Sequence, residues 1–149
     1  MESKEATALF IGNRDCCHVS RTAIEKAITK AIESGIKVFL NGGQGYFDKT
    51  CASVLYQLKK VYPQVKSYLV IPYQEFNDYN KDLYDEIIFP FKEQSQTYYF
   101  YKRAIPYRNK YMVEHAAAAI CYVRRSGGGA GKTLEYAKAK GLLIIDVES

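Results

Sequence analysis

Five short apolar runs recur along the chain: TALFIG (Thr7 to Gly12), IKVFL (36–40), VKSYLVIPY (65–73), AAAAICYV (116–123) and LLIIDV (142–147). Runs of this length between amphipathic segments read as strands buried on both faces. The segment SRTAIEKAITKAIESG places Ala23, Ile24, Ala27, Ile28, Ala31 and Ile32 on one helical face, with Gly35 as its stop. FDKTCASVLYQLKKVYP places Val54, Leu55 and Leu58 on another helix, ended by Pro63. Parallel strands need a crossover to return the chain, and a helix supplies it. The expected fold is therefore α/β: a single Rossmann-like three-layer domain over residues 1–149 with a mainly parallel sheet.

Two regions are less regular. Residues 74–96 are polar and aromatic, and within them DEIIFP is a candidate short strand. YYFYKRAIPYRNKYMVEHA is expected to be helical, with Pro106 breaking it or starting part of it. A length of 149 residues with 48% hydrophobic and 25% charged content is what one core requires. The four cysteines, two of them adjacent as Cys16 and Cys17, have neither a disulfide framework nor a paired Cys-x-x-Cys spacing, so they read as reduced thiols. His18 and His115 lack metal partners at useful spacing, and neither a metal site nor a cofactor is expected. Charges where a signal peptide needs an apolar run, and apolar runs far below the ~20 residues of a membrane span, point to a cytoplasmic protein with no membrane partner. The net charge of +5 suits an anionic small molecule or weak contact with nucleic acid, and the lysines spread along the helices read mainly as solvated faces.

Three strand ends carry the chemistry: GNRD (Gly12 to Asp15), NGGQGYFD (Asn41 to Asp48) and RRSGGGAGKT (Arg124 to Thr133). In a parallel sheet all three open on the edge where ligands bind. Glycines there admit close backbone approach, and a following helix offers free N–H groups to an anion. The candidate ligand-binding residues are Gly12, Asn13, Arg14, Gly42, Gly43, Gly45, Asp48, Gly127, Gly128, Gly129, Gly131, Lys132 and Thr133. Arg14 and Arg108 are suited to fork onto a phosphate, although either could be a surface ion pair. Asp48 either caps the helix after it or hydrogen-bonds a ribose hydroxyl. Lys132 at a helix start opposes the dipole unless an anion sits there.

Gly131-Lys132-Thr133 looks like the end of a nucleoside-triphosphatase loop. That pattern needs glycine five places earlier, where Ser126 stands. Only one helix and one strand follow, leaving no later strand for a magnesium-holding acid. The triphosphatase reading is set aside.

The ordered set FIGNRD, FLNGGQGYFDKTCASVLYQLKKVYP, RNKYMVEHAAAAICYV and SGGGAGKTLEYAKAKG resembles the SLOG superfamily, which includes lonely-guy phosphoribohydrolases and DprA, and within it the small stand-alone YpsA-like branch. The resemblance implies a nucleotide-derived ligand. It places Arg108, with Asn109 beside it in RNKYM, where lonely-guy enzymes use an arginine on the substrate. It matches Gly128, Gly129 and Gly131 to the phosphate loop PGGxGTxxE, with Gly127 in place of proline. Aligned on the glycines, Glu135 takes the catalytic glutamate's place and Lys132 replaces a threonine; aligned on TLE, the place falls to Tyr136.

The expected function is binding of a phosphorylated nucleotide-derived small molecule, ADP-ribose-like or a cyclic-nucleotide signal, by a sensor or sequestering module. One alternative is a nucleoside 5'-monophosphate phosphoribohydrolase with Glu135 and Arg108 as catalytic residues, since N-glycosidic cleavage needs a carboxylate near the ribose. The other is a DprA-like DNA-binding accessory protein. The cluster TYYFYKRAIPYRNKY admits base stacking, but reads first as core or subunit packing. A homo-oligomer is expected, and nucleic acid is not the expected partner.

Overall fold

In the computed structural model, which describes residues 3–15 and 18–147, six strands form one sheet. They are β1 (Thr7–Gly12), β2 (Val38–Asn41), β3 (Lys66–Val70), β4 (Glu86–Ile88), β5 (Ala118–Tyr122) and β6 (Leu143–Asp146). The order is β4-β3-β2-β1-β5-β6, and every neighbouring pair is parallel. The helices are α1 (Arg21–Glu33), α2 (Gly45–Leu58), α3 (Tyr98–Tyr101), α4 (Ala104–Glu114) and α5 (Gly128–Ala139).

The period-2 alternation of each strand divides the core. On β1, Ala8 and Phe10 pack with Ile24 and Ile28 of α1 and Leu55 of α2, while Leu9 and Ile11 pack on the opposite face with Met112 of α4 and Ala137 of α5. Helices therefore cover both faces of a parallel sheet, which is the expected Rossmann-like three-layer α/β fold. Ser20 caps α1 by accepting the Ala23 N–H at 3.0 Å, and Gly35, at φ 111°, follows its end.

DEIIFP does contain the short edge strand β4. The long aromatic segment is two helices, and Pro106 lies in the first turn of α4, where the lost N–H would have had no intrahelical partner. After β4 the chain crosses back to the far side of β1 to form β5, so strand order reverses between β1 and β5. The ends of these two strands, with that of β2, position the site.

Among the described cysteines, Cys51 and Cys121 are free and buried, whereas Cys16 and Cys17 lie outside the described residues. Among the described residues no group of His, Cys, Asp and Glu is placed to hold a metal, and no helix is long and apolar enough to cross a membrane.

Candidate functional site

At the carboxyl ends of β1 and β2 a cleft of about 440 Å³ opens against the N-terminus of α5. Of the residues expected from sequence, Gly12, Asn13, Arg14, Gly42, Asp48, Arg108, Asn109, Gly128, Gly129 and Thr133 line it together. Gly43 and Gly45 line an adjacent recess shared with Arg14. Gly127, Gly131, Lys132 and Glu135 line a separate depression behind the last glycine loop. Lys132 also reaches a groove between α4 and α5, as does Tyr136. Asp15, Gln44 and Arg125, unselected members of the three motifs, also line the cleft. So do Ile105 and Met112, which flank Arg108 at helical spacing; the i, i+3, i+4, i+7 face drawn through Arg108 and Asn109 would have found them.

The walls are held by side chains that bond to backbone. Asn13 accepts the Arg124 N–H at 2.7 Å, joining the end of β1 to the loop after β5. Asn41, buried at the end of β2, accepts the Gly43 N–H at 2.7 Å and donates to the Asp48 carbonyl at 2.8 Å, which folds the second glycine loop onto α2. In that loop Gly45 has φ +89°, and a Cβ there would stand 2.3 Å from the Arg14 carbonyl oxygen. Glycine is therefore required for the loop to pass the end of β1.

Arg108 is 1% exposed and forms the floor of the cleft. Its Nη1 donates to the carbonyls of Gly42 and Val70, both at 2.8 Å, its Nη2 to Gln44 Oε1 at 2.6 Å, and its Nε to Asn109 Oδ1 at 2.9 Å. Four of the five guanidinium N–H groups are thus committed to the protein, tying the ends of β2 and β3 to α4. Burial pulls this guanidinium down to about 10, against the opposing charge of Asp48.

Asp48, also buried, does not precede a helix as its capping residue, because α2 already begins at Gly45; from the first turn of α2 it reaches back and accepts the Gln44 N–H at 3.0 Å. Burial pushes its carboxyl up to about 6, against the pull of that N–H and of the Arg108 and Arg14 guanidiniums. At the mouth, the exposed ion pair of Asp15 with Arg125, at 3.0 Å, holds the Asp15 carboxyl below its ordinary value.

The opposite wall is α5. Gly127 and Gly128 have φ of +78° and +63°, as the turn into the helix demands. Gly129 differs: it lies in α5, its φ is not positive, and a Cβ on it would meet nothing within 4 Å. Thr133, whose Oγ donates to the Gly129 carbonyl at 2.7 Å, closes this side. The site thus presents the free N–H end of a 12-residue helix, a bare glycine, and the side chains of Arg14 and Arg125 to one cleft.

Comparison with known proteins adds three findings. No curated protein sequence matches. The solved X-ray structure of DNA processing protein A (DprA) from Streptococcus pneumoniae is similar over 96% of this chain, with a TM-score of 0.67 and 18% identity. This chain spans 50% of that one, and the likeness at this identity is one of fold. The family model described as the YspA SLOG family (YpsA) matches residues 4–140, from before β1 to the end of α5, and so takes in all three glycine loops. The chain belongs to the YspA SLOG family.

Proposed function

We propose that the cleft binds a phosphorylated nucleotide-derived small molecule, ADP-ribose-like or a cyclic nucleotide, and that the chain works as a single cytoplasmic sensor or sequestering domain. Gly129 carries this reading. Glycine is a poorer helix former than alanine. Neither backbone conformation nor internal packing asks for one here. An anion seated on the first turn of α5 does ask for it, because a side chain would stand between the helix N–H groups and the phosphate.

The hydrolase reading that uses Glu135 draws no support from the site. Glu135 is exposed and faces the depression behind the loop, while the carboxylates lining the cleft are Asp15 and Asp48. Assembly as a homo-oligomer is part of the proposal, since Tyr98, Tyr99, Tyr101 and Tyr107 leave an aromatic face uncovered.

Thermal unfolding with AMP, ADP, cyclic AMP and ADP-ribose tests the binding reading. A ligand at 100 times its dissociation constant adds about 2.7 kcal/mol, roughly 5 to 10 °C for a chain of this size. No shift with any of them sinks the proposal.

A further inference from the structure

The cleft does not end at α5. It continues into a groove of about 290 Å³ between α4 and α5, and the two spaces share Ile105, Asn109, Gly129 and Thr133 as lining. Beyond this junction the walls become apolar. Ile105 and Pro106 stand on the α4 side and the Tyr136 ring on the α5 side, with Lys110 and Lys132 also lining the space.

From this continuity we infer that the groove is a second subsite, which takes a planar, largely apolar ring of the nucleobase class carried by the same ligand whose phosphate lies on α5. The inference rests on the phosphate-binding reading above and adds to it the position and chemistry of a second contact. Three observations carry it. Gly129 sits where cleft and groove meet, and its missing side chain leaves the passage open. The Tyr136 wall is fixed in place: its hydroxyl donates to Glu114 Oε2 at 2.6 Å, and the Lys110 and Lys140 ammoniums lie 5.9 and 5.4 Å from its ring centroid. A ring that enters stacks on Tyr136 by taking the groove-side face over which the Lys110 ammonium lies. Asn109 gives its Oδ1 to Arg108, so the donor it can offer at the junction is its side-chain NH2.

Titration calorimetry with ribose 5-phosphate and AMP tests the inference, because the two share phosphate and sugar and differ in the ring. Stacking of a base on an aromatic side chain contributes about 1 to 3 kcal/mol, so wild type should bind AMP at least about fivefold more tightly. Tyr136→Ala should reduce that preference to within about twofold while leaving ribose 5-phosphate affinity unchanged. Tyr136→Phe keeps the ring but loses the Glu114 bond that holds it, and should retain a preference of at least about threefold, weaker than wild type and above that of Tyr136→Ala. Thermal melting of each variant establishes that it is folded. Equal affinity of wild type for the two probes, or a preference that survives Tyr136→Ala in a folded variant, overturns the subsite alone. If ribose 5-phosphate and AMP both fail to bind wild type at millimolar concentration, the phosphate-binding reading falls and the subsite with it.

Discussion

The Arg108 guanidinium lies where any residue but glycine at position 42 would carry its side chain. A Cβ on Gly42 would stand 3.0 Å from Arg108 Cζ and 3.2 Å from each Nη. The second glycine loop thus accommodates a cation of the protein itself, and its shape depends on the bonds from Arg108 to the Gly42 and Val70 carbonyls and to Gln44.

Arg108→Met keeps much of the volume but leaves those buried acceptors without donors. A loss of roughly 3 to 5 kcal/mol in urea unfolding is expected, as for one partner removed from a buried polar network. Gly42→Ala, which must push the guanidinium aside by a few tenths of an ångström, should cost less, about 1 to 2 kcal/mol. A loss below 1 kcal/mol for Arg108→Met would show that the network is not what holds the loop.

Asp48 links stability to pH. Its folded-state value, about 6, lies above its ordinary value of 3.8, so between these values the folded protein holds a proton that the unfolded chain has released. The contribution of this group is fully present below about 4 and is lost as pH rises through 6. Asp48→Asn removes the buried charge and keeps a side-chain oxygen to accept the Gln44 N–H. At pH 7 the variant should be more stable than wild type by roughly 1 to 3 kcal/mol, with the difference vanishing near pH 4. Urea unfolding at both pH values checks it, and a variant less stable than wild type at pH 7 contradicts the sign.

Two glycines of the site should respond in opposite ways. Gly129→Val meets open space in a helical conformation, so its melting temperature should stay within a few degrees of wild type while binding of any phosphate-bearing ligand is lost. Gly45→Val combines φ +89° with a Cβ 2.3 Å from the Arg14 carbonyl oxygen, and should destabilise the fold by more than about 3 kcal/mol. Differential scanning fluorimetry on both variants, with and without ligand, separates the two effects.

Glu135→Gln should leave ligand affinity within a few fold, because the side chain faces away from the cleft. Wild type should release no free base from adenosine or cytokinin-type monophosphates over hours. Chromatography for free base checks this: glutamate-dependent release would establish the hydrolase and overturn the binder.

The layer order of this fold was legible from the strings of residues because the signals are local. A short unbroken apolar run marks TALFIG as a strand buried on both faces, and the spacing of Ile24, Ile28 and Ile32 marks a helix, whatever the rest of the chain does. Gly12, Gly42 and Gly128 could be assigned to one cleft for a related reason, since a parallel α/β sheet brings the carboxyl ends of its strands to a single edge.

Which way a side chain faces once it reaches that edge was decided only by tertiary packing. Glu135 and Tyr136 are neighbours in sequence and about 100° apart around α5. With Ala137 in the core beneath the sheet, Tyr136 turns to the α4 groove and Glu135 to the depression behind the loop, a choice that no spacing within the motif contains. The role of Arg108 was hidden in the same way. Its acceptors Gly42, Gln44 and Val70 lie 66, 64 and 38 residues away along the chain. Only the return of the chain from β4 across the sheet brings α4 beneath them. The amino-acid order determined the elements and the edge on which they converge, because those follow from periodicity and strand direction. Burial of a cation and the facing of a carboxylate depend on contacts between distant segments, and exist only once the sheet has closed.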